Sequence, residues 1–245
     1  MAKNVILVLG RANQGKSSSL RTLPLEEVAY LNADLTNIPF PNKKINEIKI
    51  SEPLKVPQYI AKCEEKEGIN YIVLDTITVL LRMFERKYVA PKAGTKEGMS
   101  AWAHYSDYYG NVVHALKAGK KHTIVLGHDA QDYDEGTMEV RSKLDLKGSA
   151  GKTSERDFSI ILTARLVNVD TLKQFDNPWL NITEDEEFTG QKYVFQTKPF
   201  QKEGNMSRTP LGMFDRNSIF IDNDMAQFTK LLDEYYGSEE EEDEA

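Results

Sequence analysis

The sequence predicts an α/β fold: a mostly parallel central sheet flanked by helices, with an antiparallel extension in the second half. Three observations predict it. The apolar run Val5-Ile6-Leu7-Val8-Leu9 leads directly into Gly10-Arg11-Ala12-Asn13-Gln14-Gly15-Lys16-Ser17, a complete G-x-x-x-x-G-K-[ST] pattern, with Ser18 and a helix start behind it. Strand-sized apolar runs then alternate with helical stripes. Several of those runs end in a carboxylate or a histidine, at the strand edge where open α/β sheets take their ligands.

Taken in order, strands are expected at 4–9, 28–32, 45–50, 71–75, 123–127, 158–169 and 191–196. Most are continuous Val/Ile/Leu/Tyr runs, the signature of strands covered on both faces. Val56, Tyr59, Ile60 and Cys63 make one helical stripe, with Pro57 suited to a first turn. Trp102, Tyr105, Tyr109, Val112, Val113 and Leu116 make a second. Met225, Phe228, Leu231, Leu232 and Tyr235 make the last, behind the capping candidates Asp222, Asn223 and Asp224. Segments 90–99, 146–154 and 198–210 read as loops, and after about residue 136 strand signals follow one another without helices between them.

At 245 residues the chain suits one sizeable core, a single domain over 1–237 followed by a disordered acidic tail at 238–245. The tail matters for reading the charge. Of the net −7, the run Glu239-Glu240-Glu241-Glu242-Asp243-Glu244 carries −6, so the rest of the chain is close to neutral. A basic footprint spread over the whole domain is therefore excluded, and polyanion binding would have to come from local basic segments. Cys63 is the only cysteine, which excludes internal disulfides and cysteine-based zinc sites and fits a reducing cytoplasm. No apolar run is long enough for a membrane span, and a strand begins too early for a signal peptide.

The glycine-rich pattern has a physical job in each part. Gly10 and Gly15 let the backbone bend so that N–H groups converge on phosphate oxygens. Lys16 adds charge near the β/γ-phosphates, and the Ser17 hydroxyl can ligate Mg²⁺. Tyr71-Ile72-Val73-Leu74-Asp75 is an apolar strand ending in an aspartate that suits the Mg²⁺ shell, against the simpler role of helix cap. Asp34, ending Tyr30-Leu31-Asn32-Ala33, has two open readings: a base near the γ-phosphate, or a turn former before Thr36 and Asn37. His128, ending Thr123-Ile124-Val125-Leu126-Gly127, is either a phosphate contact or a surface histidine. His104, His114 and His122 show no metal spacing. Segment 82–98 carries Arg82, Arg86, Lys87, Lys92 and Lys96 with Tyr88, and 143–152 carries Lys143, Lys147 and Lys152 with two glycines. Such loops suit sequence-independent binding of a single strand, and equally suit solvent.

On these residues the chain resembles the RecA-like P-loop ATPases, and more narrowly the small phage-encoded ATP-binding proteins of single-strand annealing and recombination. The likeness includes Gly10–Ser17, the Asp34 strand end, Tyr71–Thr76 and Ile124–His128. It extends to Glu155–Arg165, to Thr209-Pro210-Leu211-Gly212-Met213-Phe214, and to the closing helix with Tyr235-Tyr236. The resemblance implies ATP and Mg²⁺ as cofactors, with Asp34 as the hydrolytic carboxylate, although RecA itself carries glutamate there. It implies that His128 contacts the γ-phosphate. It also implies assembly into a ring or filament, with ATP between subunits and a basic residue reaching across. Lys198, Lys202 and Arg208 are the candidates for that residue, with Arg165 behind them. The partners it implies are single-stranded DNA and a single-strand-binding or replication protein, in the cytoplasm of a host cell if phage-encoded. Two other classes stay open: a small-molecule phosphotransferase, for which no Arg-rich lid is evident, and a non-catalytic adaptor switched by nucleotide.

Overall fold

The computed structural model describes residues 4–134, 139–200 and 206–242. Its centre is an eight-stranded sheet in the order β10-β9-β8-β1-β5-β4-β2-β3. The strands are β1 (Val5–Leu9), β2 (Val28–Asn32), β3 (Asn46–Lys49), β4 (Tyr71–Asp75), β5 (His122–Gly127), β8 (Ile160–Asn168), β9 (Gln191–Gln196) and β10 (Phe220–Asp222). Between β5 and β8 the chain forms a separate antiparallel ribbon, β6 (Asp129–Asp134) with β7 (Glu139–Leu144). Strands β3, β2, β4, β5, β1 and β8 are parallel, and β9 and β10 are antiparallel additions at one end. The fold is the α/β architecture that the sequence predicts.

The period-2 alternation of β1 divides the core. Leu7 and Leu9 face one apolar cluster, beneath α1 (Val56–Glu65), α2 (Ile77–Phe84) and α3 (Gly98–Ala118). Ile6 and Val8 face the other, beneath α7 (Met225–Glu242). All four are fully buried, and each burial stabilises the fold by about 1.5–3 kcal/mol. A central strand needs apolar residues at every position because helices cover both faces.

Three expectations need correction. The segment after Lys16 is a six-residue 3-10 helix, Ser17–Thr22, rather than the start of a longer α-helix. The Ser19 hydroxyl bonds back to the Lys16 carbonyl at 2.6 Å, competing with helical bonding, and Pro24 blocks extension. The stretch 146–154 is not all loop but contains the short α4 (Gly148–Thr153). Helix α7 runs past Gly237, where the composition suggests a stop, to Glu242. Strands β6, β7 and β10 have no counterpart among the expected runs: β6 and β7 are polar, charged strands of a ribbon, and β10 is a three-residue edge strand. The short α5 (Val169–Leu172) and α6 (Glu184–Thr189) lie between β8 and β9. Among the described residues no helix is long and apolar enough to cross a membrane.

Candidate nucleotide site

Parallel strands β1, β2, β4 and β5 bring their carboxyl ends to one edge, where Gly10, Asp34 and His128 follow β1, β2 and β5 and Asp75 ends β4. The glycine-rich loop leaves β1 there. Asn13 and Gly15 sit at φ +60° and +86°, so the loop backbone alternates hand, a conformation that suits an anion-binding concavity. A side chain on Gly15 would press on the Tyr193 ring at 2.9 Å, and one on Gly10 would meet the Ala164 carbonyl at 2.8 Å. Both glycines are required by close packing as well as by the turn. The following helix has only six residues, so little helix dipole stands behind the loop.

The Lys16 ammonium lies inside the loop, donating to the carbonyls of Gly10 and Arg11, both at 2.8 Å. Two donors thus hold the loop closed and a third is left for an anion. Burial lowers the Lys16 pKa, opposed by the nearby carboxylates of Asp75, Asp129 and Asp34. Gln14 accepts from the Leu166 N–H at 2.8 Å, anchoring the loop to β8.

Ser17 Oγ donates to Asp75 Oδ2 at 2.9 Å. Asp75 is buried, and burial pushes its pKa up despite its hydrogen bonds from Tyr30 and Ser17. It is not the cap of α2, since Thr76 Oγ1 accepts from Val79 N–H and takes that role. The peptide between Asp75 and Thr76 is cis. Asp34 Oδ1 accepts from both the N–H of Thr76 at 3.0 Å and its hydroxyl at 2.9 Å. His128 is held by its backbone N–H, which donates to Thr78 Oγ1 at 3.0 Å, while its Nδ1 is buried without a partner. Burial first, then the Lys16 charge, lowers the His128 pKa, so the ring is neutral at neutral pH. The turn that opens α2 therefore holds both Asp34 and His128.

These groups fit a magnesium nucleotide. No cluster of three His, Cys, Asp or Glu forms a protein cage among the described residues. Ser17 and Asp75 instead offer one hydroxyl and one carboxylate side by side, which suits an ion that keeps phosphate oxygens and waters as its other ligands.

The described candidates for a residue acting across a subunit boundary are hydrogen-bonded within this chain. Lys198 donates to the carbonyls of Phe214 and Asp215, and Arg208 to that of Phe158. Arg208 also pairs with Ile161, near the start of β8 and away from the phosphate loop. Arg165 donates to Gln196 Oε1 at 2.9 Å, and Lys202 lies outside the described residues. The basic segments are also engaged: Arg82 pairs with Asp145, Lys87 with Glu52, Lys92 with Glu97 and Lys147 with Glu85. Tyr88 bonds to Glu52 and packs on Phe84, so it is not a free stacking platform. Tyr133 on the β6–β7 ribbon is 54% exposed.

Sequence reasoning missed Tyr30, whose hydroxyl donates to Asp75 Oδ2 from two positions before the Asn32–Asp75 strand pair. A tyrosine inside an apolar run reads as packing, and only the pairing of β2 with β4 aims it. A buried carboxylate whose pKa is already raised depends on such donors to stay ionised. Tyr30→Phe is expected to raise the Asp75 pKa further. Magnesium-dependent nucleotide binding should then fail at a higher pH than in the wild type as pH falls, which a pH series of binding titrations measures. Losing a hydrogen bond to a charged group should also cost about 1.5–3 kcal/mol of stability by denaturant titration. An unchanged pH profile would remove Tyr30 from the site.

Fold and loop together define a P-loop nucleotide-binding protein, with a parallel sheet that presents the glycine-rich loop beside a strand-end aspartate. The family described as AAA domain matches residues 2–203, and the chain belongs to that family. The family implies nucleotide binding and hydrolysis. No curated protein matches the chain.

Proposed function

We propose that this chain is a magnesium-dependent ATPase of RecA-like type that self-associates around ATP and acts on single-stranded DNA in recombination, annealing or replication. One observation carries the reading. Lys16, Ser17, Asp75, Asp34 and His128 come from four strand ends and are linked by hydrogen bonds or mutual charge at one sheet edge. Bound magnesium would neutralise charge on the phosphates, held by Ser17 and, through water, by Asp75. Lys16 binds the phosphates. Asp34, fixed by Thr76, orients and deprotonates the attacking water. Neutral His128 offers a hydrogen bond at the same edge, and the ribbon leaves the sheet one residue later.

That ribbon supports the DNA part of the reading. It carries Tyr133 on β6, 54% exposed. An exposed aromatic ring can stack on a base without regard to sequence. Tyr133→Ala is expected to weaken binding of a labelled oligonucleotide by about tenfold, within the usual worth of one stacked base. Basal ATP turnover should not change. The whole reading is tested by phosphate release with and without single-stranded DNA. Stimulation by the strand is expected; stimulation by a nucleoside acceptor instead would make the protein a phosphotransferase.

A further inference from the structure

We infer that Tyr193 and Asn223 form the base-recognition side of the nucleotide site and select adenine over guanine. The inference rests on the nucleotide-binding reading above and concerns the part of the ligand that the phosphate loop does not contact.

The loop has two flanks at the sheet edge. On one, β5 and β4 bring up His128 and Asp75, and the first turn of α2 bonds Asp34 and His128. That flank takes the magnesium and the terminal phosphate. On the other stand β8, β9 and β10. Strand β10 runs parallel to β8, so its carboxyl end, with Asn223 directly after it, reaches the same edge as the loop. Tyr193 lies opposite Leu166 of β8, whose N–H donates to Gln14 of the loop at 2.8 Å. A nucleotide with its terminal phosphate beside Asp75 and His128 therefore extends its base toward Tyr193 and Asn223.

Asn223 is a polar group that the fold itself leaves unsatisfied. It is 3% exposed, and both ends of its side-chain amide, Oδ1 and Nδ2, are buried without a hydrogen-bond partner. A buried donor and acceptor left unpaired are destabilising, and an apolar residue of the same shape would avoid that cost. The backbone behind the amide is fixed. The Asn223 carbonyl accepts from Arg21 Nη1 at 3.0 Å, and Ala226 N–H donates to Thr22 Oγ1 at 3.3 Å, both on the 3-10 helix that follows the loop. A Cβ placed on Gly15 would stand 3.3 Å from Asn223 Oδ1 and 2.9 Å from the Tyr193 ring, so amide and ring converge beside the residue that precedes Lys16. The ring is 43% exposed, and its rotation off Gly15 opens the amide to a base and offers a face for stacking.

A carboxamide presents one acceptor and one donor side by side, the complement of the adenine N6 amino group and its neighbouring ring nitrogen. Guanine instead offers N1–H and N2–H together, two donors that a carboxylate matches. The carboxylates flanking Asn223 are engaged. Asp224 Oδ1 accepts from Gln227 N–H at 2.9 Å. Asp222 Oδ1 pairs with Lys192 at 3.1 Å and accepts from Asn181 N–H at 3.1 Å.

Isothermal titration tests this with magnesium and three probes: non-hydrolysable analogues of ATP and of GTP, and tripolyphosphate, which has no base. Circular dichroism checks that each variant folds. The wild type should prefer the ATP analogue by about tenfold or more, within the worth of one bidentate base contact. Asn223→Leu removes both polar atoms at similar volume and should abolish that preference while tripolyphosphate binds as before. Asn223→Asp replaces the donor by an acceptor and should shift the preference toward the GTP analogue. Tyr193→Ala should weaken both analogues by about tenfold and leave tripolyphosphate unchanged. Equal affinity of the wild type for the two analogues overturns the inference. So does an Asn223→Leu protein that keeps the preference, or that loses tripolyphosphate in parallel with the nucleotides. In each of these cases the phosphate loop assignment stands. If the wild type binds none of the three probes, the nucleotide reading itself falls.

Discussion

Replacing Lys16 by alanine is expected to abolish ATP binding while leaving the protein folded. The ammonium donates to two loop carbonyls and keeps a third donor for phosphate. Its loss removes both the local positive charge and the tie that closes the loop. Hydrogen bonds to charged groups contribute about 1.5–3 kcal/mol each, and with the unscreened charge the affinity should fall by at least about a hundredfold. The fold should survive, because Lys16 belongs to neither apolar cluster, and deleting a partly desolvated charge relieves a cost. Isothermal titration with ATP and magnesium, beside a thermal melt, reads both. Wild-type affinity in a folded mutant would overturn the phosphate-site assignment.

Asp34→Ala should separate binding from turnover. The Asp34 carboxylate lies near Lys16 and Asp75 and accepts from Thr76, and a base acts in the transition state more than in the ground state. The mutant should therefore bind ATP near normally and lose about 10²–10⁴ in kcat, the usual worth of a positioned acid–base group. Single-turnover phosphate release, with affinity measured separately, makes the distinction. Asp75→Ala should behave in the opposite sense, losing magnesium-dependent binding and leaving the buried Tyr30 hydroxyl without its acceptor. Asp34→Ala hydrolysing at the wild-type rate would leave Asp34 as the turn former and require another base.

The parts legible from the sequence share a property. Runs such as Val5–Leu9 and Tyr71–Asp75 are continuous and apolar because both faces are covered, and covered strands announce themselves. The ribbon Asp129–Leu144 and the edge strand Phe220–Asp222 were not legible, since charged alternation and three residues look like loop. Within the site, Lys16, Ser17 and Asp75 stood out because each lies at a motif position. Tyr30, Thr76 and Thr78 did not, because their roles depend on a neighbour 45, 42 and 50 residues away. The basic residues misled in the other direction. Charge is visible in a sequence, but its neutralisation by Glu52, Glu85, Glu97 and Asp145 is not.

The sequence by itself determined the parallel α/β class, the phosphate loop and the strand that supplies its carboxylate. These depend on periodicity and on contiguous residue types, which local physics reads directly. Only the tertiary structure decided that Asp34 and His128 are both held by the first turn of α2, and that Tyr30 braces Asp75. It alone showed that Phe188 stands uncovered on an otherwise acidic helix. Those relations arise from strand order and helix packing, which join residues far apart in the chain and leave no local pattern behind.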